Sequence, residues 1–164
     1  MIDKSSWGEG PWQHEPDGGA WITHADLLGC FIRHPRRGHL NGYVALPPDH
    51  PLTGKDVFHH AFEDIDVHGG VTFAGHINSD DVFVRKVLVD VDERLYWLGF
   101  DCHHFRDFAP GFAAEMNSLP PELKPLEDPR NYRPVAYVKR EVESLARQLV
   151  QIHTGAKSRG AGWR

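Results

Sequence analysis

Between Pro134 and His153 the apolar residues Val135, Val138, Val142, Leu145, Leu149 and Ile152 recur at spacings of 3, 4, 3, 4 and 3. That period belongs to an α-helix with a single apolar face. Pro134 suits its first turn, because the missing N–H has no intrahelical partner there in any case. The stripe needs a cover. A sheet of the same chain would provide one; the same stripe on a second copy would provide the other, as a homodimer through the 134–153 helix.

The rest of the chain offers strands. Leu27–His34 is an apolar run ended by Pro35 and the turn-forming Arg36, Arg37 and Gly38, and Gly42–Leu46 runs into Pro47 and Pro48. Val67–Gly75 alternates Val67, Gly69, Val71 and Phe73 with His68, Gly70, Thr72 and Ala74, and its adjacent glycines predict a bulge or a close approach. After a polar turn at Asn78–Asp81, VFVRKVLVDV leads through Asp92, Glu93 and Arg94 into LYWLGFDCHH, a hairpin pattern. Asp56–Phe62 reads as a helical turn or two, residues 107–117 as a short helix, and 118–134 as a loop kinked by five prolines. The fold class expected is α+β: a mostly antiparallel sheet of about five strands with the last helix packed on one face. Residues 1–20 are expected to be an irregular arm pinned by Trp7 and Trp12, 21–154 a single domain, and 155–164 a flexible tail.

Composition narrows the function. A chain of 164 residues, 40% hydrophobic and 25% charged, has the size and make-up of one globular domain. No apolar run is long enough to span a membrane, and the N-terminal segment lacks the apolar core of a signal peptide. A cytoplasmic protein is therefore expected. The net charge of −5 disfavours nucleic acid as a generic partner. Two cysteines, Cys30 and Cys102, cannot form a disulfide framework. Twelve histidines are the compositional anomaly, and histidine is the commonest metal ligand.

Chemistry concentrates in Asp101-Cys102-His103-His104-Phe105-Arg106-Asp107. Strand alternation puts Tyr96, Leu98, Phe100, Cys102 and His104 on one face, with Asp101 and His103 opposite. Cys102 and His104 could both bind Zn²⁺, with Asp107 turning in and His68 as the further ligand if its strand lies alongside. The competing reading is a buried thiol beside a hydrogen-bonded histidine. The same residues admit covalent catalysis: Cys102 as nucleophile, His68 or His104 as base, Asp101 or Asp107 orienting it, and the N–H groups of Gly69 and Gly70 as an oxyanion hole. By alternation His68 opposes Val71 and Phe73, so it meets Cys102 only through a bulge at the glycines. The acidic residues Glu63, Asp64 and Asp66 lack the spacing of a calcium loop. No P-loop, G-x-G-x-x-G, G-x-S-x-G or H-E-x-x-H occurs.

Four segments carry a resemblance: GYVALPPDHPLTG at 42–54, VHGGVTFAG at 67–75, WLGFDCHHFRD at 97–107 and YRPVAYVKREVESLARQL at 132–149. In order and spacing they resemble a family of small phage- and prophage-encoded proteins, mainly of actinobacteria, for which no activity is established. The resemblance spans roughly residues 27–150. Members often carry Cys just before the GYV segment, where this chain has Asn41. The resemblance implies an accessory protein acting in the cytoplasm of an infected bacterium, and its pattern falls on His50, His68, Gly69, Gly70, Asp101, Cys102, His104 and Asp107. Two functions are expected on these grounds. One is the binding of a small ligand, such as a nucleotide signal, or of a host protein in a pocket lined by His50, His68, Gly69, Gly70, Thr72 and Asp101. The alternative is a small hydrolase, with zinc on His68, Cys102, His104 and Asp107 or with Cys102, His104 and Asp107 as catalytic residues.

Overall fold

The computed structural model describes residues 2–77, 87–88, 92–123 and 128–160. Its strands are β1 (Gly18–Ile22), β2 (Leu28–Arg33), β3 (Leu40–Leu46), β4 (Phe73–His76) and β5 (Tyr96–Asp101). They form one five-stranded sheet in the order β1-β2-β3-β5-β4, and every neighbouring pair is antiparallel. A short helix α1 (Pro110–Met116) and a long helix α2 (Val135–Gly160) complete the α+β architecture. β5 enters between β3 and β4, so the long connection from Leu46 crosses to the sheet edge before the chain returns to its centre.

The apolar stripe lies on the sheet of its own chain. Val138, Val142, Leu145 and Leu149 are fully buried and share a core with Phe31, Val44, Leu98 and Phe100. The approach is close at Val142. A Cβ on Gly42 would lie 2.8 Å from its Cγ2 and 2.5 Å from the Phe100 ring, so a larger residue there would lift the helix off the sheet. The opposite face is also covered at its centre, where Cys30, Ile32, Ala45 and Trp97 are buried together.

Several expectations move. The expected arm ends in a strand, since Gly18–Ala20 open β1 and pair with β2; Trp7 and Trp12 are buried with Phe108 and Tyr132. Residues 67–75 are not one strand. Gly69 and Gly70 have φ of 67° and 85°, and the Gly70 N–H donates to Val67 O at 2.9 Å, which closes a turn; β4 begins only at Phe73. Asp56–Phe62 yields one 3-10 turn at His60–Phe62. The proline-rich loop contains two more, at Pro121–Leu123 and Pro129–Asn131. α2 continues to Gly160, beyond the start of the expected tail. The turn at Asn78–Asp81 and most of the first hairpin arm, 82–91, fall outside the described residues. No helix among the described residues is long and apolar enough to cross a membrane.

Candidate metal centre

β5 ends at Asp101, and the chain turns at once. The Asp101 carboxylate accepts the His103 N–H at 3.0 Å, and the Asp107 N–H donates to His104 O at 2.9 Å, closing a turn over His104–Asp107. Arg106 takes φ of 80° at its tip. His104 and Asp107 therefore leave the strand together. His68 arrives from the other side, on the turn completed by Gly69 and Gly70. Gly69 faces the His104 ring so closely that a Cβ there would overlap it. His68, His104 and Asp107 each offer a ligand atom, all within 4.8 Å of one another.

Asp107 organises the cluster. Its side chain is 3% exposed, and Oδ2 accepts from His68 Nε2 at 2.7 Å and from the His104 N–H at 3.0 Å. Oδ1 accepts from Arg133 Nε at 3.0 Å. Burial works to raise the carboxyl pKa; the bonds from His68, the His104 N–H and Arg133 outweigh it and hold the group at about 2. As a carboxylate it only accepts, so the His68 Nε2 carries the proton. In neutral His68 the Nδ1 then accepts from the Tyr137 hydroxyl, 2.9 Å away. The His68 backbone N–H donates to Glu141 Oε2 at 2.8 Å. Among the described residues His104 Nδ1 is buried without a hydrogen-bond partner, although Asp101 Oδ1 and Asp107 Oδ2 stand only 3.5 and 3.6 Å away, within ion-pair range.

Three ligand atoms within 4.8 Å of one another could hold a metal ion once they adjust to its bond lengths. With Zn–N and Zn–O bonds of about 2.0–2.1 Å, the edge of a tetrahedral site is about 3.3 Å. The His68–Asp107 pair would open by about half an ångström and lose its shared proton. His68 Nδ1–H would then donate to the Tyr137 oxygen, fixing the ring. Three protein ligands leave a coordination position for water or substrate.

The other expected site residues lie elsewhere or serve other ends. Cys102 does not join the cluster. It is 1% exposed in the main core, its N–H bonded to Leu40 O, and burial followed by the charges of Asp107 and Asp101 pushes its thiol up. A nucleophile or metal ligand needs the thiolate. The Gly70 N–H is used within its own turn, which removes one half of the proposed oxyanion hole. Thr72 is exposed and donates its N–H to Gly99 O. His50 sits beside the middle of α2, with Nε2 2.9 Å from Leu149 O and Nδ1 accepting the Leu52 N–H at 3.1 Å; both ring nitrogens fix the chain there. Asp101 borders the cluster through His104.

Arg133, Tyr137 and Glu141 were not among the candidates read from the sequence. Their spacing of four residues, along one flank of the apolar stripe, was the available signal.

No protein family, curated protein or solved structure matches this chain. The site must speak through its own geometry.

Proposed function

We propose that the protein is a metal-dependent hydrolase, with Zn²⁺ held by His68, His104 and Asp107 and water in the open position. The observation that supports it is the convergence of three ligand atoms from two separated turns around a carboxylate held ionised. Zn²⁺ held there would supply Lewis acidity, bringing the pKa of its water near neutrality and so providing a nucleophile. Tyr137 on α2 and Arg133, two residues before its first turn, orient His68 and Asp107. The four-segment resemblance is the ground for placing this activity in the cytoplasm of a phage-infected bacterium. The test is metal content of tag-free protein by elemental mass spectrometry, after equilibration with Zn²⁺ and dialysis. About one zinc per chain, lost in His68→Ala and His104→Ala but kept in Cys102→Ala, is the expected result. Absence of bound metal in the parent protein would sink the reading.

His104 Nδ1, which has no hydrogen-bond partner among the described residues, also supports a second reading, in which the same residues capture a small ligand or a host protein segment without turnover. Metal-independent binding with no product formed would favour it. Ligand at 100 times Kd would then stabilise the fold by about 2.7 kcal/mol.

A further inference from the structure

Arginines surround the cluster. Arg133 uses Nε on Asp107, and its remaining N–H groups extend from a side chain 35% exposed. Its guanidinium carbon lies 5.1 Å from the Tyr137 ring centre, and that of Arg140 lies 5.6 Å from the same ring. Both cations thus stand beside the phenol that touches His68. Of the nearby carboxylates, Asp107 is ion-paired with Arg133, while Glu141 and Asp101 accept the neutral His68 and His103 N–H groups. No carboxylate contact to Arg140 is among the hydrogen bonds and ion pairs of the described residues. A neutral sugar or amide gives such cations no counter-charge, whereas a phosphoryl group does, in a geometry that guanidinium matches.

The turn that supplies two of the ligands also presents an aromatic ring. Phe105 is 92% exposed, and the Arg106 guanidinium lies 5.6 Å from its ring centre. Among the described residues this phenyl group, two positions before Asp107, packs in no hydrophobic cluster and touches only the Arg106 guanidinium by ring contact. It offers a stacking face within one short turn of the reacting centre.

We propose that the substrate of this centre is a nucleotide: its phosphoryl group engages Arg133 and Arg140, and its base stacks on Phe105. The proposal rests on the hydrolase reading above for its chemistry, though not for its binding contacts. In the reaction, water adds to phosphorus and one P–O ester or anhydride bond breaks. The proton lost by the water goes to the departing oxygen, and no other reactant is needed. A small nucleotide needs only a local cluster of cations, which the net charge of −5 permits.

The test separates the two contacts. A fluorescent nucleoside triphosphate is titrated with the zinc-equilibrated full chain by anisotropy, then competed with unlabelled nucleotide, inorganic phosphate, the nucleoside alone and a short single-stranded oligonucleotide. Unlabelled nucleotide should compete about tenfold better than phosphate. Phe105→Ala should erase that advantage and leave phosphate competition unchanged; Arg140→Ala should weaken both about tenfold. Both side chains are exposed, so circular dichroism should show the parental fold and mass spectrometry the parental zinc. Phosphate competing as well as nucleotide, preference for the oligonucleotide, or unchanged affinity in both variants would overturn the proposal. A chain without metal that still shows the expected variant effects would sink the hydrolase reading alone. One with metal and no nucleotide binding would sink this inference alone.

Discussion

At the scale of the residue, two adjacent glycines separate backbone demand from site geometry. Gly69 and Gly70 both have positive φ, so any side chain strains either position by about 1–2 kcal/mol. Only Gly69 lies against His104; a Cβ on Gly70 meets nothing within 4 Å. If the centre binds zinc as proposed, Gly69→Ala should lose zinc with its loss of stability, while Gly70→Ala loses stability alone. Zinc titration beside urea unfolding checks it, and equal zinc affinity in the two variants would mean that His104 is not held as described. His39 poses a different problem. It is buried between His34 and His103, at ring distances of 5.0 and 4.8 Å, and burial, then the charges of His103, His34 and Arg37, pushes its pKa down to about 3. The unfolded chain takes up the proton near pH 6.5, the folded chain only near 3, so between these values the unfolded state binds more protons. Stability should be full above pH 6.5 and fall as pH drops through that window, at about 1.4 kcal/mol per pH unit for a group so buried. Urea unfolding at a series of pH values should show a slope of at least this size, since burial also lowers His34, His50 and His103, and His39→Phe should reduce it by His39's share.

At the scale of the element, the helix–sheet interface carries the fold. Leu145→Ala removes a side chain with no exposure from the centre of the main core and should cost about 2–5 kcal/mol in urea unfolding. Arg147→Ala, on the exposed side of the same helix, should change stability by less than about 0.5 kcal/mol. This interface was legible in the sequence because the period of the stripe and the alternation of β2, β3 and β5 are local patterns read against solvent. β1 was not, since Gly18 and Gly19 give it the composition of a loop and its pairing with β2 is what makes it a strand. The expected strand through His68 failed for a related reason: alternation continued across two glycines whose φ values end it. Of the site, His68, His104 and Asp107 were legible from residue type. Cys102 was misassigned to them because strand parity puts it in the core while the chain bends away immediately afterwards. Tyr137 lies 69 residues from His68, and no local pattern announces a contact made only when α2 docks.

At the scale of the whole molecule, one buried cation joins the site to the N-terminal segment. Arg33 has no exposure; Nη1 donates to Gly38 O at 2.8 Å and to the Tyr132 hydroxyl at 2.7 Å, and Nη2 to Glu15 at 3.1 Å. Asp17 stands 3.2 Å from its Nε. Glu15 in turn accepts the Val135 N–H at 2.9 Å, capping the helix beside Arg133 and Tyr137. Tyr132 packs on Trp12, as does Phe108, the residue after Asp107. Arg33→Met would leave Glu15 and Asp17 without this counter-charge and should cost about 3–5 kcal/mol. Leu145→Ala weakens the fold to a similar extent through the core alone. The two should differ at the site: loosening the cap of α2 frees the residues that orient His68 and Asp107, and such supporting contacts are worth about tenfold or more in metal affinity. Zinc affinity by chelator competition, under conditions where both variants remain folded, should therefore fall in Arg33→Met and hold in Leu145→Ala. Equal affinities would reduce the N-terminal clamp to a stability device; unequal ones would make it the outer support of the centre, although Arg33 touches none of the ligands.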